Sequence, residues 1–192
     1  HLPIQSGADS VLRRMSRRCR TDEFRTLVAQ ARQAVPGFNI TTDIIVGFPG
    51  ETDEEWQQTL AFASEMDFGH IHIFAYSPRT GTKAAGMPNQ LARDVKRTRS
   101  RQLHALAAQS RRKVLERSIG SEFDVLIEGK GDTATDARKA WSGYIPNYLR
   151  VEVHDTDGTD LESKIMRIRT MGLSEDGERL LAELIRTPEC TA

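Results

Sequence analysis

Thr41-Thr42-Asp43-Ile44-Ile45-Val46-Gly47-Phe48-Pro49-Gly50-Glu51-Thr52 decides the fold. Its first half is rich in β-branched residues and almost continuously apolar from Ile44 to Phe48, the texture of a strand buried on both faces. Its second half is a turn in which Gly47 and Gly50 bracket Phe48-Pro49. The turn opens into ETDEEWQQTLAFASEMDF (51–68), with Thr52 or Asp53 as N-cap, acids in the first turn, and Trp56, Leu60 and Phe62 near one face. That pattern predicts an amphipathic helix. After Gly69, HIHIFAY (70–76) reads as another strand, closed by Ser77-Pro78-Arg79-Thr80-Gly81-Thr82.

Upstream, LPIQSG (2–7) reads as a strand running into a small-residue turn. Val11, Leu12 and Met15, then Phe24, Leu27, Val28 and Ala31, recur at helical spacing with a break around Cys19 to Thr21. Thr21-Asp22-Glu23 caps the second of these helical stretches and Pro36-Gly37 stops it. Strands alternating with helices imply a parallel sheet, and three such units make only part of a barrel.

Downstream the texture changes. Residues 89–118 hold Leu91, Val95, Leu103, Leu106, Ala107 and Val114 among many arginines and lysines, with no internal Gly or Pro, and predict one long basic helix. Beyond Gly120 come short β-like runs, FDVLIEG, LRVEVHD and KIMRIRTM, separated by Gly-Asp-Thr and Asp-Gly-Thr turns. A five-stranded small barrel fits this length. EDGERLLAELI (175–185) reads as a final helix. The expected division is 1–88 as the partial barrel, 89–118 as the basic helix and 119–186 as the β-domain.

The 192 residues carry zero formal net charge, so whole-chain charge points neither to nucleic acid nor to a membrane. No run approaches the roughly 18 apolar residues of a membrane span, and HLPIQSGADS lacks the order of a signal peptide. A soluble cytoplasmic protein is the expectation. Cys19 and Cys190 are the only cysteines and have no metal-ligand or disulfide spacing.

In an α/β barrel the chemistry sits where the strands end. Gln5, Ser6 and Gly7 end the first strand, where a side-chain amide suits a ribose hydroxyl pair or a base edge, or where the chain simply turns. Asp43 precedes a buried run, and a carboxylate there needs a partner or a ligand. The turn at 47–51 lets backbone approach a ligand closely, although no Walker-type lysine follows. Tyr76-Ser77-Pro78-Arg79 gathers a ring, a hydroxyl and a guanidinium able to clamp a nucleotide. His70 and His72 share one side of their strand, but without other placed ligands the pair is read as structural and no metal site is expected. The basic helix is rich enough in cations to attract phosphate. In the β-domain, Tyr144, Asn147, Tyr148 and Arg150 lie on one turn-and-strand element, a platform on which single-stranded nucleic acid can stack.

Taken in order, HLPIQSG, RRMSRRCR, TTDIIVGFPGET, HIFAYSPRTGT and GYIPNYLRV closely resemble the methylthiotransferase family of radical S-adenosylmethionine (SAM) enzymes followed by its TRAM domain, over nearly the whole chain. GYIPNYLRV looks most like the branch acting on N6-threonylcarbamoyladenosine beside the tRNA anticodon. The resemblance implies the C-terminal part of a radical SAM (β/α) barrel followed by a small OB-like barrel. It implies that Gln5, Ser6 and Arg17 lie near the SAM ribose and carboxylate, and Asp43 near its nucleoside. Tyr76, Arg79, Tyr144, Asn147, Tyr148 and Arg150 become candidates for the tRNA anticodon arm. The family's reaction implies hydrogen abstraction at adenine C2, sulfur insertion and methyl transfer.

The CxxxCxxC motif that holds the family's [4Fe–4S] cluster is absent, as is the domain holding a second cluster. The expectation is therefore a fragment lacking the N-terminal half of the same polypeptide, with no catalytic residue of its own and no activity alone. Competing expectations are the sister branch that modifies a ribosomal protein, and a non-catalytic RNA-binding module.

Overall fold

The computed structural model describes residues 1–131, 139–155 and 159–185, which fall into two compact units, His1–Arg111 and Arg112–Ala192. Cys190 and much of the two turns expected at 131–133 and 157–159 lie outside the described residues.

In the first unit, α1 (Asp9–Arg14) and α2 (Thr21–Ala34) precede β1 (Thr41–Val46), α3 (Asp53–Met66) and β2 (His70–Ala75). β1 and β2 pair in parallel, from Thr41 opposite His70 to Val46 opposite Ala75. A parallel pair needs a crossover, and α3 supplies it. Its N-cap is Thr52, whose hydroxyl accepts the Glu55 amide while Glu55 accepts the Thr52 amide, satisfying two otherwise orphaned donors. For α2 the cap is Arg20 rather than a residue of the Thr21 run: the Arg20 amide donates to Glu23, and Thr21 begins the helix with its amide on Asp9.

β1 is not buried on both faces. Thr42, Ile44 and Val46 are buried, whereas Thr41, Asp43 and Ile45 face the other way and stay half-buried. The buried face packs into a core with Leu12, Phe24, Val28, Trp56, Phe62, Phe68, Ile71 and Leu103. Phe24, Phe62 and Phe68 meet edge-on or tilted with centroids 5.8 to 6.4 Å apart. Each such side chain, once buried, contributes about 1.5–3 kcal/mol.

The segment before α1 is less than a strand. It lies parallel to β1 through Leu2 N to Thr41 O, Gln5 N to Asp43 O and Ile45 N to Gln5 O, yet forms a single isolated bridge. Pro3 has no amide to donate. The Thr42 hydroxyl fills the gap, accepting from Ile4 N and donating to Leu2 O. At Gln5 the chain turns to φ 78°, which ends the extended run.

The basic helix is α4 (Arg93–Glu116), shorter at both ends than the 89–118 expected, and the division between units falls within it. In the second unit β3 (Glu122–Lys130), β4 (Lys139–Tyr144), β5 (Arg150–Asp155), β6 (Ile165–Leu173) and β7 (Leu180–Leu184) close a barrel in the order β3-β4-β5-β7-β6. Val125, Ile127, Trp141, Val151, Val153, Ile168, Leu180 and Ala182 fill it. The final helix expected at 175–185 is instead β7, parallel to β5 and antiparallel to β6. Leu, Ala and Glu favour helix in isolation, but two strand edges waiting to be closed override that weak preference.

No helix among the described residues is long and apolar enough to cross a membrane.

Candidate functional site

In the first unit Gln5 ends the extended segment before α1, whereas Asp43 lies inside β1 rather than at its end. Gln5 is buried, and a non-glycine residue held at φ 78° costs about 1–3 kcal/mol, strain that persists where the surroundings over-determine it. Ser6 is fully buried and committed internally: its hydroxyl accepts the Ala8 amide and pairs with the Thr59 hydroxyl at 3.2 Å. It shapes the turn. Gly7 is required beside it, because a Cβ there would lie 2.7 Å from Phe62 Cβ and 2.8 Å from Thr59 Cα.

Asp43 lies on the open face of β1, opposite His72 in register. His1 Nε2 is 3.2 Å from its carboxylate and His1 Nδ1 is 2.9 Å from the Thr41 hydroxyl. His1, Asp43 and His72 thus form the one His/carboxylate group of metal-ligand type among the described residues, with donor atoms within 4.8 Å of one another. Both His1 ring nitrogens already have hydrogen-bond partners, and the arrangement is that of a polar network.

Arg17 is exposed in the loop after α1 and its carbonyl accepts the Arg20 guanidinium at 2.6 Å. Tyr76 is half-buried rather than presented as a free stacking ring: it meets Phe48 edge-on at 5.3 Å, and its buried hydroxyl has no hydrogen-bond partner among the described residues. Arg79 is exposed in the following loop, where its carbonyl accepts the Thr82 hydroxyl at 2.8 Å.

Composition could not reveal how the turns are held. Glu51 turns back into the protein, accepting the Gly47 amide at 2.9 Å and the Arg99 guanidinium at 2.7 Å, with Glu51 fully buried and Arg99 nearly so. Arg99 also donates to the Glu51 carbonyl at 3.1 Å and to Asp53 at 2.6 Å. Burial pushes the Glu51 carboxyl up from its usual range, and Arg99 and the Gly47 amide oppose that rise. One helical turn earlier, Lys96 Nζ donates to the Tyr76 carbonyl at 3.0 Å, and its stem covers Gly47. Both loops at the strand ends are therefore fastened to α4. Behind them Arg14 grips Glu55 in a bidentate pair, with Ser10 donating to the same carboxylate, which holds Glu55 down to about 2.

In the second unit a row of side chains runs across four strands. Arg150 is opposite Tyr144, Tyr144 opposite Leu126, and Leu126 opposite Ile165. Tyr144, Leu126 and Ile165 are all exposed, an apolar strip ending at a guanidinium. Leu126 and Ile165 escape a reading by composition, although the alternation around Leu126 places Val125 and Ile127 inside and Leu126 out. The turn joining β4 to β5 carries Asn147, half-buried, and Tyr148, which is 84% exposed at φ 62°. A tyrosine is uncommon in the left-handed region, and this ring contributes little to the barrel core.

Residues 1–63 match the Radical SAM superfamily. Over 171 residues, 89% of its length, the chain is 36% identical to threonylcarbamoyladenosine tRNA methylthiotransferase MtaB of Bacillus subtilis (strain 168), covering 37% of that protein. It is 42% identical over 142 residues to tRNA-2-methylthio-N(6)-dimethylallyladenosine synthase of Tropheryma whipplei (strain Twist), covering 72% of this chain and 30% of that one. The same enzyme of Bacillus pumilus (strain SAFR-032) is 42% identical over 178 residues, covering 93% and 35%. The chain spans about a third of the length of these curated relatives. Along most of its own length, the chain is a relative of the radical SAM tRNA methylthiotransferases.

Proposed function

We propose that the protein to which this chain belongs is a tRNA methylthiotransferase that uses SAM to place a methylthio group at C2 of an N6-modified adenosine beside the anticodon. The observation that carries this reading is a pairing within one chain. A radical SAM segment has the strained, buried Gln5 bonded to β1 at Asp43, and a separate closed barrel presents Tyr148 and the Tyr144–Arg150 row to solvent.

Gln5, Asp43 and Arg17 would hold SAM: the amide and the carboxylate take ribose and base donors, and the guanidinium takes the methionyl carboxylate. Bound there, SAM supplies the methyl group and the adenosyl radical precursor. The fit stops at the cluster. The family's radical chemistry needs three cysteine thiolates, whereas this sequence has two cysteines, Cys19 and Cys190, so no step of radical formation rests on its residues and the chain alone is inactive. Its own work is to bind and to orient. Tyr144 and Tyr148 stack unpaired anticodon-loop bases while Arg150 and Arg79 meet phosphates. The threonylcarbamoyl branch is preferred on Gly143–Arg150 and on the alignment with the Bacillus subtilis enzyme.

Fluorescence anisotropy with an anticodon stem-loop and an unrelated hairpin of equal length tests the RNA half of this reading. Preference for the anticodon arm, lost in Tyr144→Ala/Tyr148→Ala, is expected. Equal affinity for both hairpins would move the substrate to a protein, as in the family's other branch.

A further inference from the structure

The chain is neutral as a whole, but α4 carries eight cations against the two carboxylates Asp94 and Glu116. The structure sorts these cations by use. Lys96 and Arg99 are turned inward onto Tyr76, Glu51 and Asp53, and Arg112 pairs with Glu116 at 2.9 Å. Arg93, Arg97 and Arg101 are exposed, and among the described residues none of them has a hydrogen-bond or ion-pair partner. They stand four residues apart, so their side chains follow one another along one stripe of the helix at steps of about 6 Å, about 12 Å from first to last.

This stripe works against helix stability. Like charges at i and i+4 destabilise a helix by about 0.2–0.5 kcal/mol per pair; there are two such pairs, and the single nearby carboxylate, Asp94 at i,i+3 to Arg97, can offset only one of them. Solubility alone is served equally well by alternating signs. Nor does the stripe have the makings of a protein interface, which needs an apolar or aromatic anchor at its centre. None of the exposed large hydrophobic side chains falls between Arg93 and Arg111. Guanidinium groups in a line, each able to grip two oxygens, match a polyanion whose charges also repeat in a line.

We propose that Arg93, Arg97 and Arg101 form a phosphate-tracking ridge that binds the RNA backbone, a contact separate from the barrel row that meets the bases. This rests on the tRNA reading above and extends it: the barrel row reads the loop, and the ridge supplies affinity independent of sequence.

The test compares wild-type chain, Arg93→Gln/Arg97→Gln/Arg101→Gln and Tyr144→Ala/Tyr148→Ala, each titrated with the anticodon stem-loop and an unrelated hairpin between 50 and 200 mM salt. Glutamine keeps the helix and removes the repulsion, so circular dichroism and thermal melting of the ridge variant should match or exceed wild type. Three lost phosphate contacts should flatten the log–log salt slope by roughly 2 to 3, so that the variant loses roughly 16- to 64-fold less affinity across that salt range. Both RNAs should be affected equally, whereas the tyrosine variant should lose discrimination between them with little change in slope. A ridge variant that folds and shows a slope within about one contact of wild type overturns the proposal, even if the tyrosine variant behaves as the tRNA reading expects. No binding of wild type at 50 mM salt overturns both.

Discussion

Arg99→Ala should unfasten the loop after β1 in the first unit. The Arg99 side chain is 6% exposed and bonds a Glu51 carboxylate that is fully buried, so its removal leaves a buried charge held by the Gly47 amide alone. Among the described residues Glu51 Oε1 already has no hydrogen-bond partner. Breaking a buried pair from one side costs about 3–5 kcal/mol, nearly all of it through Glu51, since the side chain of Asp53 is 89% exposed. The loss should depend on pH in a defined direction. Burial already raises the Glu51 carboxyl, and without Arg99 it rises further. A carboxyl raised in the folded state favours folding at low pH and loses that contribution as pH climbs through its folded value. The cost of Arg99→Ala should therefore be larger at pH 8 than at pH 5. The assay is urea unfolding followed by the emission of Trp56, buried in this unit, in a Trp141→Phe background where it is the sole tryptophan. Arg99→Met/Glu51→Gln should recover at least about 2 kcal/mol over the sum of the two single changes, since the buried charge is gone. A cost under about 1 kcal/mol at both pH values, with additive single changes, would refute the reasoning.

Gly47→Ala should cost the first unit about 1–3 kcal/mol, because the position is held at φ 74° and the new Cβ would meet Lys96 Cγ at 2.4 Å; the same urea assay checks it. Gln5→Gly removes the strain at φ 78° and should leave stability unchanged or raised by up to about 1 kcal/mol, while weakening SAM binding by the full-length enzyme. A clear loss of stability would make Gln5 structural. Glu55 is held down to about 2 by Arg14, so its contribution is present above about pH 4.5 and disappears as pH falls toward 2. Screened by solvent it amounts to about 1–2 kcal/mol, and Glu55→Gln should abolish that part of the acid titration of unfolding. Tyr148→Asn, which keeps a side chain tolerant of the left-handed region, should leave the barrel's melting temperature unchanged and lower RNA affinity.

Local pattern made the helices and the central strand legible because their causes are local. Thr52 with Glu55 is a capping box within four residues, and Ile44 and Val46 are β-branched residues before a glycine turn. What pattern could not supply came from partners distant in the chain. Leu180–Leu184 is a strand because β5 and β6 leave it a slot, and Thr42 replaces ladder bonds that Pro3 cannot make. The candidate site divides the same way. Gln5, Asp43, Tyr144 and Arg150 could be named from motifs, but the direct pairing of Tyr144 with both Leu126 and Arg150 is a matter of register. The inward turn of Arg99 was hidden in a run of cations that reads as a solvated face.

The most direct test of the central claim is nucleoside mass spectrometry of tRNA after incubation with the full-length, cluster-reconstituted protein and SAM. An N6-modified adenosine from beside the anticodon should gain one methylthio group in place of hydrogen, and Asp43→Ala should abolish the gain. Unchanged tRNA nucleosides, with a methylthio group appearing instead on a ribosomal protein, would contradict it.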